Sequence, residues 1–380
     1  MSHQEGIGSS ARTRIHDITG NQVQSLLAKL DVLWETLPLP LRQEELLSPE
    51  FYTPGEAAGG GKHVLQEASI LGHLKRIGAL TEETTKAIEL GAGTARLSDR
   101  LSRVAVMMDH VLIDRQEFSP GSCRDRHLVA RLAAKQHKAT TTHTVERVTA
   151  DIASLDLNKY LLASSPKCLC LCLSKHLCGP ACDLAIGSLG RVSPPSRRPP
   201  CAIATCCHYL CTWGTFSGKQ FWETMGLTEQ DFVVAVAASQ WASVNKKQKK
   251  ATPPDNNNNK EDTEEPSKKK LKNGTGTDTK PLDTTSTTAT CWLADLDEIA
   301  KSAKSRLDSD STETTRAVIQ SEEFERTFSR ADKSALGWKL KQLLDLCRAA
   351  RLQELGYNVD LVVYTTRSLE DRLLVASQSK

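Results

Sequence analysis

The sequence predicts an α/β fold in which helices cover both faces of a mostly parallel sheet. Between residues 87 and 205, short apolar segments of strand length alternate with segments of helical periodicity. Two further apolar segments, separated by a short polar turn, close the chain as a β-hairpin. This order is typical of parallel strands joined by helices, with an antiparallel hairpin added at one side.

The individual elements follow from the spacing of apolar residues. Core strands are predicted at 87–90, 111–113, 144–149, 168–173 and 202–205. Helices are predicted at 23–33, 62–80, 97–104, 128–134 and 339–354, where apolar residues recur every three or four positions. In the last of these helices the leucines are expected to face inward, which leaves the basic residues on the outside.

The composition is typical of a soluble globular protein. The 380 residues are 39% hydrophobic and 25% charged, with a formal net charge of +3. No apolar run reaches the roughly 18 residues of a membrane-spanning helix, and the first residues lack the apolar stretch of a secretory signal. We therefore expect a cytoplasmic or nuclear protein without a membrane partner, whose 12 cysteines are reduced thiols.

Two regions are expected along the chain. Residues 1–58 are predicted to form an N-terminal helical extension, and residues 59–380 a single α/β domain. Within this domain, residues 245–290 contain almost no large apolar side chains. Burial could not offset the entropy of ordering such a segment, so we predict a disordered insertion there.

A cofactor loop is predicted at residues 89–93, between the first core strand and the next helix. Gly91 and Gly93 let the backbone turn sharply beside a ligand. A dinucleotide would require a third glycine where Arg96 stands, so that its pyrophosphate could reach the helix. S-adenosylmethionine has no phosphate, and Glu89 suits its cationic amino-acid portion. This methyl donor is therefore the predicted cofactor.

Acidic residues at the ends of the next two strands add to this prediction. Asp114 is placed to accept hydrogen bonds from both ribose hydroxyls of the donor, and Asp151 with Ile152 to meet the adenine edge. The alternative interpretation is that these acids only cap the helices that follow the strands.

Two polar motifs follow the fourth and fifth core strands. Lys175 and His176 come after the fourth strand, and Cys206, Cys207 and His208 come after the fifth. Because ligands bind at the carboxyl ends of parallel strands, both motifs are expected to face the substrate.

Six short motifs together resemble a known family. In chain order they are GKHVLQEAS, ELGAGTARLS, VLIDR, ADI, SKHLCG with CDLAI, and CCHYLC. Over about residues 60–380 they resemble the eukaryotic tRNA 2′-O-methyltransferases that act on nucleoside 4 of the acceptor stem, the tRNA:m(4)X modification enzymes. The resemblance implies a Rossmann-like class I methyltransferase fold, S-adenosylmethionine as donor, and tRNAs for glycine, proline and histidine as substrates. Lys62, which lies in the first motif, is also counted among the predicted donor contacts.

Two departures from the family pattern concern a glycine and a zinc finger. Family members usually have a third glycine at the position of Ala95, and alanine is small enough for cofactor binding to survive. They also tend to carry an N-terminal zinc finger, whereas the first cysteine here is Cys123. This second departure bears on tRNA docking rather than on the methyl-transfer core.

Methyl transfer to a ribose hydroxyl requires the hydroxyl to be aligned and its proton to be removed. Lys175 or His176 is the predicted catalytic group, as the base or as a stabiliser of the developing oxyanion. The lysine would need a lowered pKa, whereas the ordinary pKa of histidine is already about 6.5. The sequence leaves this choice open.

The predicted partner is the tRNA acceptor stem, and no stable protein partner is implied. Recognition of an A-form stem would depend on backbone shape and 2′-hydroxyls. The candidate substrate contacts are Cys206, His208, Lys339, Lys341, Arg348 and Arg351, of which the last four are candidate phosphate contacts. The alternative for the basic residues is a solvated helix face.

No metal ligand is predicted. Cys168, Cys170 and Cys172 alternate along one strand without the C-x₂-C spacing of zinc sites, so they are interpreted as buried core thiols. The alternative is a zinc site between neighbouring strand ends, with ligands drawn from Cys178, Cys182, Cys206, Cys207, Cys211, His176 and His208. Two other functions remain open, namely methylation of a protein or small molecule, and RNA binding without catalysis.

Overall fold

The computed structural model describes nine stretches of the chain. They are residues 14–38, 41–58, 61–104, 108–119, 121–136, 143–162, 169–242, 292–310 and 328–378. The predicted insertion at 245–290 lies outside the described residues, and so does Cys168.

The described strands form one eight-stranded sheet. They are β1 (Arg42–Gln43), β2 (Thr84–Leu90), β3 (Asp109–Asp114), β4 (Val145–Thr149), β5 (Leu169–Cys178), β6 (Cys201–Cys206), β7 (Tyr357–Val363) and β8 (Arg372–Gln378). Their order is β1-β7-β8-β6-β5-β2-β3-β4. Neighbours from β4 to β6 are parallel, whereas β8 is antiparallel to both β6 and β7. The predicted α/β class, with a mostly parallel sheet and a C-terminal antiparallel hairpin, is confirmed.

Helices lie on both faces of this sheet. The described helices are α1 (Gly20–Trp34), α2 (Pro54–Ala58), α3 (Lys62–Arg76), α4 (Arg96–Leu101), α5 (Asp125–Gln136), α6 (Asn158–Leu162), α7 (Pro180–Gly190), α8 (Lys219–Thr224), α9 (Glu229–Ala238), α10 (Leu296–Asp310) and α11 (Arg330–Glu354). Helix α3 ends before the predicted residue 80, because Gly78 turns the chain with a φ of +72°. Within the described stretches, no helix combines the length and apolarity needed to cross a membrane.

Side chains along each strand alternate between two apolar layers. In β2, Ile88 and Leu90 belong to the layer that includes residues of α1, α7, α9 and α11, whereas Ala87 belongs to the layer with α3 and α4. Cys170 and Cys172 of β5 both lie in the first layer. Their interpretation as buried core thiols is therefore confirmed.

The N-terminal segment packs against the same core. Leu26 and Leu30 of α1 are fully buried in the first apolar layer. Strand β1 pairs in parallel with β7 at the edge of the sheet. The segment that was predicted as a helical extension thus also contributes an edge strand.

Strand β5 is longer than the predicted strand at 168–173 and reaches Cys178. Its pairing with β6 is irregular between Ser174 and Leu177. Lys175 and His176, which were expected to follow the strand, instead lie within it at this irregularity. Such local breaks in the ladder change the direction of side chains and are frequent beside active sites.

Candidate active site

A cavity of about 160 Å³ lies at the carboxyl ends of β2 and β5. Five residues predicted for the site line it, namely Glu89, Gly91, Gly93, Lys175 and His176. It is also lined by His63, Glu67 and Thr94, which the sequence did not single out, and by Arg96, which the sequence singled out only as the residue that argues against a dinucleotide. The fold therefore brings the glycine loop and the Lys-His motif together around one space.

Both glycines of the loop have a left-handed backbone, and at one of them a neighbouring side chain would also crowd a Cβ. Gly91 has a φ of +67°, and a Cβ built on it would lie 2.8 Å from Cδ2 of Leu177. Gly93 has a φ of +51°, and no atom lies within 4 Å of a Cβ built there. Its N–H donates to Oδ2 of Asp114 at 2.8 Å. A side chain at 91 would press against the Leu177 side chain of β5, whereas one at 93 would project into open space beside the cavity.

The position at which the family resemblance expects a third glycine also has left-handed backbone geometry. Ala95 has a φ of 59° and is fully buried at the start of α4. This conformation costs an L-residue roughly 1–2 kcal/mol, which explains why glycine suits the position. The methyl group of Ala95 belongs to a small apolar cluster with Leu112 and Leu128, and this burial offsets part of the cost.

The carboxylate of Glu89 is buried in the cavity wall. Its Oε2 accepts hydrogen bonds from the Ser98 N–H at 3.0 Å and from the Ser98 hydroxyl at 2.5 Å. Burial raises the pKa of Glu89 to about 7, although the hydrogen bonds from Ser98 oppose the shift. A cationic ligand would favour the charged carboxylate, so this wall of the cavity is suited to a positive group.

Glu67 contacts three cations beside the cavity, namely the buried Lys175 and Arg100 and the exposed Arg96, whose Nε lies 3.4 Å from Oε1 of Glu67. Nζ of Lys175 donates to Oε1 of Glu67 at 2.9 Å and to the His63 carbonyl oxygen at 3.1 Å. Nε of Arg100 donates to Oε2 of Glu67 at 2.9 Å. We term Glu67, Arg100 and Lys175 the cavity cluster. None of these residues is more than 8% exposed.

The charges of the cavity cluster shift the pKa values of its members. Burial lowers the pKa of Lys175, and Arg96 and Arg100 lower it further, although Glu67 opposes the shift. Burial alone would raise the pKa of Glu67, but Lys175 and Arg100 outweigh it and hold that pKa below its usual value. Burial and Lys175 lower the pKa of His176 to about 4. The amine of Lys175 is thus easier to deprotonate than an ordinary lysine.

A family comparison matches most of the chain, including every residue that lines the cavity except His63. The family model Methyltransferase TRM13 matches residues 65–377. The chain belongs to this methyltransferase family.

Named relatives occur across eukaryotes. The tRNA:m(4)X modification enzyme TRM13 of Schizosaccharomyces pombe is 28% identical over 248 residues, which cover 64% of this chain and 64% of that protein. The homolog from Dictyostelium discoideum is 30% identical over 194 residues, or 49% of this chain and 35% of the relative. The human homolog is 24% identical over 275 residues, which cover 60% of this chain and 54% of that protein. The chain therefore spans less than two thirds of the length of these relatives.

Sequence reasoning missed Glu67 and His63, although both lie in the GKHVLQEAS motif from which it took Lys62. Lys62 is exposed and does not line the cavity. A signal for Glu67 was present, because it stands three residues after Val64 and four before Leu71, on the apolar stripe of α3. A buried ionised acid is normally paired with a cation, and the partners here are Lys175 and Arg100.

Two of the three strand-end acids lie outside the cavity. Asp114 is tied to the glycine loop through the N–H of Gly93. Asp151 accepts a hydrogen bond from the Ala153 N–H at 2.8 Å and so caps the turn that follows β4. Ile152 is buried, and its carbonyl oxygen accepts a hydrogen bond from a serine hydroxyl of α7. The donor-binding roles of Asp114, Asp151 and Ile152 remain predictions.

Arg348 was expected on the outer face of its helix, and this expectation is wrong. Its guanidinium is fully buried, with Nη2 2.7 Å from Oδ2 of Asp183 and Nη1 3.0 Å from Oδ1 of Asp345. We term Asp183, Asp345 and Arg348 the helix cluster. His208 is also buried, with its Nε2 2.8 Å from Oδ2 of Asp345. These contacts leave neither Arg348 nor His208 on a surface that RNA can reach.

The other predicted substrate contacts have different surroundings. Lys341 is buried rather than exposed, so its predicted outward orientation is also wrong. Lys339 is exposed, with its ammonium 5.5 Å from the ring centre of Trp34. Arg351 is partly exposed. The predicted phosphate contacts of Arg351 and Lys339 remain predictions. Cys206 is buried at the end of β6, beside two other cysteine thiols.

Proposed function

We propose that this chain is an S-adenosylmethionine-dependent tRNA methyltransferase that methylates the ribose 2′-hydroxyl of nucleoside 4 in the acceptor stem. The observation that carries the proposal is the placement of the Lys175 amine, with its lowered pKa, in the same cavity as the glycine loop. Membership of the methyltransferase family supports methyl transfer. The names of the relatives support tRNA as the substrate.

The strand order supports a Rossmann-like class I methyltransferase fold. Strands β2, β3 and β4 run outward in one direction, and β5 and β6 in the other. The order therefore reverses between β2 and β5. In open α/β sheets, ligands bind outside the carboxyl ends of the strands at such a reversal, and the cavity lies at this point.

The cavity residues fit the amino-acid end of the donor. A cavity of about 160 Å³ is smaller than the roughly 300–1,000 Å³ of most ligand pockets, so we place only this end inside it. Glu89 offers a buried carboxylate to a cation, and the open space at Gly93 leaves room for a ligand. Asp114 and Asp151, at the ends of the next two strands, would hold the adenosyl portion. When bound, the donor supplies an electrophilic methyl group.

We assign Lys175 as the group that removes the proton from the ribose hydroxyl. Glu67 and the His63 carbonyl oxygen accept hydrogen bonds from its amine, and Nδ1 of His63 lies 3.4 Å from the same nitrogen, where a ribose hydroxyl would replace it. A neutral amine keeps both of these bonds and presents its lone pair to a third partner. Burial favours the neutral form by lowering the pKa of Lys175. Glu67 is then a positioning residue, because it acts by holding the amine.

Cations beside the cavity are suited to RNA phosphates. Arg96 lines the cavity, and its side chain is 46% exposed. Lys62 is exposed at the start of α3, one residue before His63. Phosphate contacts of this kind position an RNA without reading its bases, which leaves recognition of the stem to its shape.

Transfer of a labelled methyl group to bulk tRNA, followed by mapping of the modified nucleoside, tests the proposed function. The expected product is a 2′-O-methylated ribose at nucleoside 4. Label in a protein or small molecule instead of tRNA would assign the fold to another substrate. Binding of tRNA without any methyl transfer would identify a non-catalytic scaffold.

Lys175→Met tests the assigned base. We expect the transfer rate to fall by about 100-fold or more, with donor affinity changed by less than about threefold. Lys75→Met is the matched control, because Lys75 is an exposed lysine paired with Glu50 on the outer side of α3. A Lys175→Met protein that transfers methyl groups as fast as this control would overturn the assignment.

A further inference from the structure

Three cysteine thiols meet where β5 and β6 end. Cys178 is the last residue of β5 and Cys206 the last of β6, and the two are paired directly across the parallel ladder. Their Sγ atoms are 3.2 Å apart. The Sγ atom of Cys207 completes the group, in which all three sulfur atoms lie within 4.8 Å of one another.

The backbone at Cys207 is bent in the way that this cluster requires. Successive residues of a strand point to opposite faces, so Cys206 and Cys207 would normally diverge. Cys207 has a φ of 49° and a ψ of 47°, which is the left-handed conformation that a residue with a side chain rarely adopts. Strained backbone of this kind persists where the surrounding structure requires it, often at functional sites.

We propose that Cys178, Cys206 and Cys207 bind one Zn²⁺ ion through their three sulfur atoms. Each thiol would release its proton to solvent and coordinate as a thiolate. A fourth position would remain for water or another ligand on the solvent side, where Cys178 is exposed. The proposal does not depend on the methyl-transfer reaction.

The spacing of the sulfur atoms agrees with a zinc site. Zinc-bound thiolates lie about 2.3 Å from the ion, which in a tetrahedral site places their sulfur atoms about 3.8 Å apart. The separation of 3.2 Å between Cys178 and Cys206 and the upper bound of 4.8 Å for every pair are consistent with this value. Three sulfur donors and no carboxylate in the set favour a soft ion such as Zn²⁺ over Mg²⁺ or Ca²⁺.

A disulfide between Cys178 and Cys206 is the competing use of these thiols. It would require a sulfur separation of about 2.0 Å, well below the observed 3.2 Å. It would also leave Cys207 without a role, although the left-handed backbone at Cys207 brings that thiol to the other two. The third cysteine therefore favours a metal ion.

The site would fix the strand ends next to the cavity. His176 lines the cavity and lies only two residues before Cys178 on the same strand. An ion that joins the ends of β5 and β6 would restrain the irregular segment that carries Lys175 and His176. The expected role is thus to hold this part of the cavity wall.

Elemental analysis of the full chain, purified after expression in zinc-containing medium, tests the site. We expect one zinc per chain, lost or weakened at least about tenfold in Cys207→Ser and Cys178→Ser, since even residues that only support metal ligands are worth this much. Cys123→Ser is the control, because Cys123 lies outside the cluster. Replacement of zinc by Co²⁺ should give a thiolate charge-transfer band in the parent and control that weakens in both cluster variants.

Melting temperatures, measured with and without a chelator, test the site independently of how much zinc a poorly folded variant retains. Removal of zinc by a chelator should lower the melting temperature of the parent and of Cys123→Ser, but not that of Cys178→Ser, whose substitution is at an exposed residue. Protein without stoichiometric zinc that also takes up no Co²⁺ would overturn the proposal. Detection of a Cys178–Cys206 disulfide in the purified chain by mass spectrometry would overturn it equally.

Discussion

Two clusters in this protein each combine buried carboxylates with buried cations, but they differ in the balance between the two. In the helix cluster, the single cation Arg348 lies between the carboxylates of Asp183 and Asp345, and all three are fully enclosed. In the cavity cluster, the single carboxylate of Glu67 lies between the cations Lys175 and Arg100. The second cluster contributes Glu67 and Lys175 to the wall of the cavity described above.

The difference in balance decides which charges are available for chemistry. Arg348 satisfies its donors inside the protein, including three hydrogen bonds to the two carboxylates. Lys175 shares its carboxylate with Arg100, and burial lowers its pKa. An ionisable group that is incompletely compensated beside a cavity is the kind that serves as an acid or a base. A balanced, enclosed group stabilises the fold instead.

The largest expected effect is on the helix cluster. Arg348→Leu would leave two carboxylates buried without their cation, and such a loss costs about 3–5 kcal/mol of unfolding free energy. Arg351→Leu, on the same helix, removes a partly exposed ion pair with Glu354 and should cost less than about 1 kcal/mol. Urea unfolding measures both values. Equal, small losses would mean that the helix cluster does not stabilise the fold.

The next effect concerns the cavity cluster, where Glu67→Gln should lower the methyl-transfer rate about 10- to 100-fold because the Lys175 amine loses its position. The Glu67 charge raises the pKa of Lys175, so its removal lowers that pKa further. If the neutral amine is the base, the acidic limb of the rate profile must then move to lower pH. A purely structural role would lower the rate without moving this limb.

Glu56→Gln is the matched control for Glu67→Gln. Glu56 also lies near Arg100, at 3.8 Å, but it pairs chiefly with Arg103 and does not line the cavity. Glu56→Gln should leave the pH of the acidic limb of the rate profile unchanged. The same shift in both variants would show that the profile reports general electrostatics rather than the contact between Glu67 and Lys175.

Local sequence patterns were sufficient to predict part of the cavity, but not the pairing of its buried charges. The glycine loop and the Lys-His motif were found because strand ends, glycines and polar residues lie next to one another along the chain. The partner of Lys175 was not found, because Glu67 stands 108 residues away. Arg348 was misplaced for the same reason, since helical periodicity marks the apolar stripe but does not reveal Asp183, which lies 165 residues away. Pairing of buried charges is a tertiary property, which periodicity alone does not encode.

A third prediction uses the raised pKa of Glu89. Its pKa of about 7 means that a cationic donor meets a neutral carboxyl group at lower pH. The affinity for S-adenosylmethionine should therefore fall as pH drops below 7, by up to about tenfold per pH unit. Calorimetry across pH 5.5–8.5 measures this dependence. Glu89→Gln should abolish it and bind weakly throughout, whereas Glu82→Gln, at an exposed position, should retain it.

The stability of the Glu89 variant provides an independent check with a definite sign. The folded pKa is raised above the ordinary value of 4.5, so this group's contribution to stability is complete below pH 4.5 and is lost as the pH rises through 7. At pH 8, Glu89→Gln should therefore be more stable than the parent, by roughly 1–3 kcal/mol. A variant that binds the donor weakly yet unfolds later would identify Glu89 as a binding group. A less stable variant at pH 8 would contradict the raised pKa.

The smallest expected effect separates backbone strain from contact with the donor. Gly93 and Gly78 both have positive φ angles, +51° and +72°, and a Cβ built on either meets no atom within 4 Å. Alanine at either position should therefore cost about 1–2 kcal/mol of unfolding free energy, because the left-handed backbone is unfavourable for residues with a Cβ. Only Gly93 lines the cavity, so only Gly93→Ala should also weaken donor binding, whereas Gly78→Ala should bind like the parent. Equal donor affinity in the two variants would show that the glycine loop does not contact the donor, although the loop lines the same cavity as Lys175.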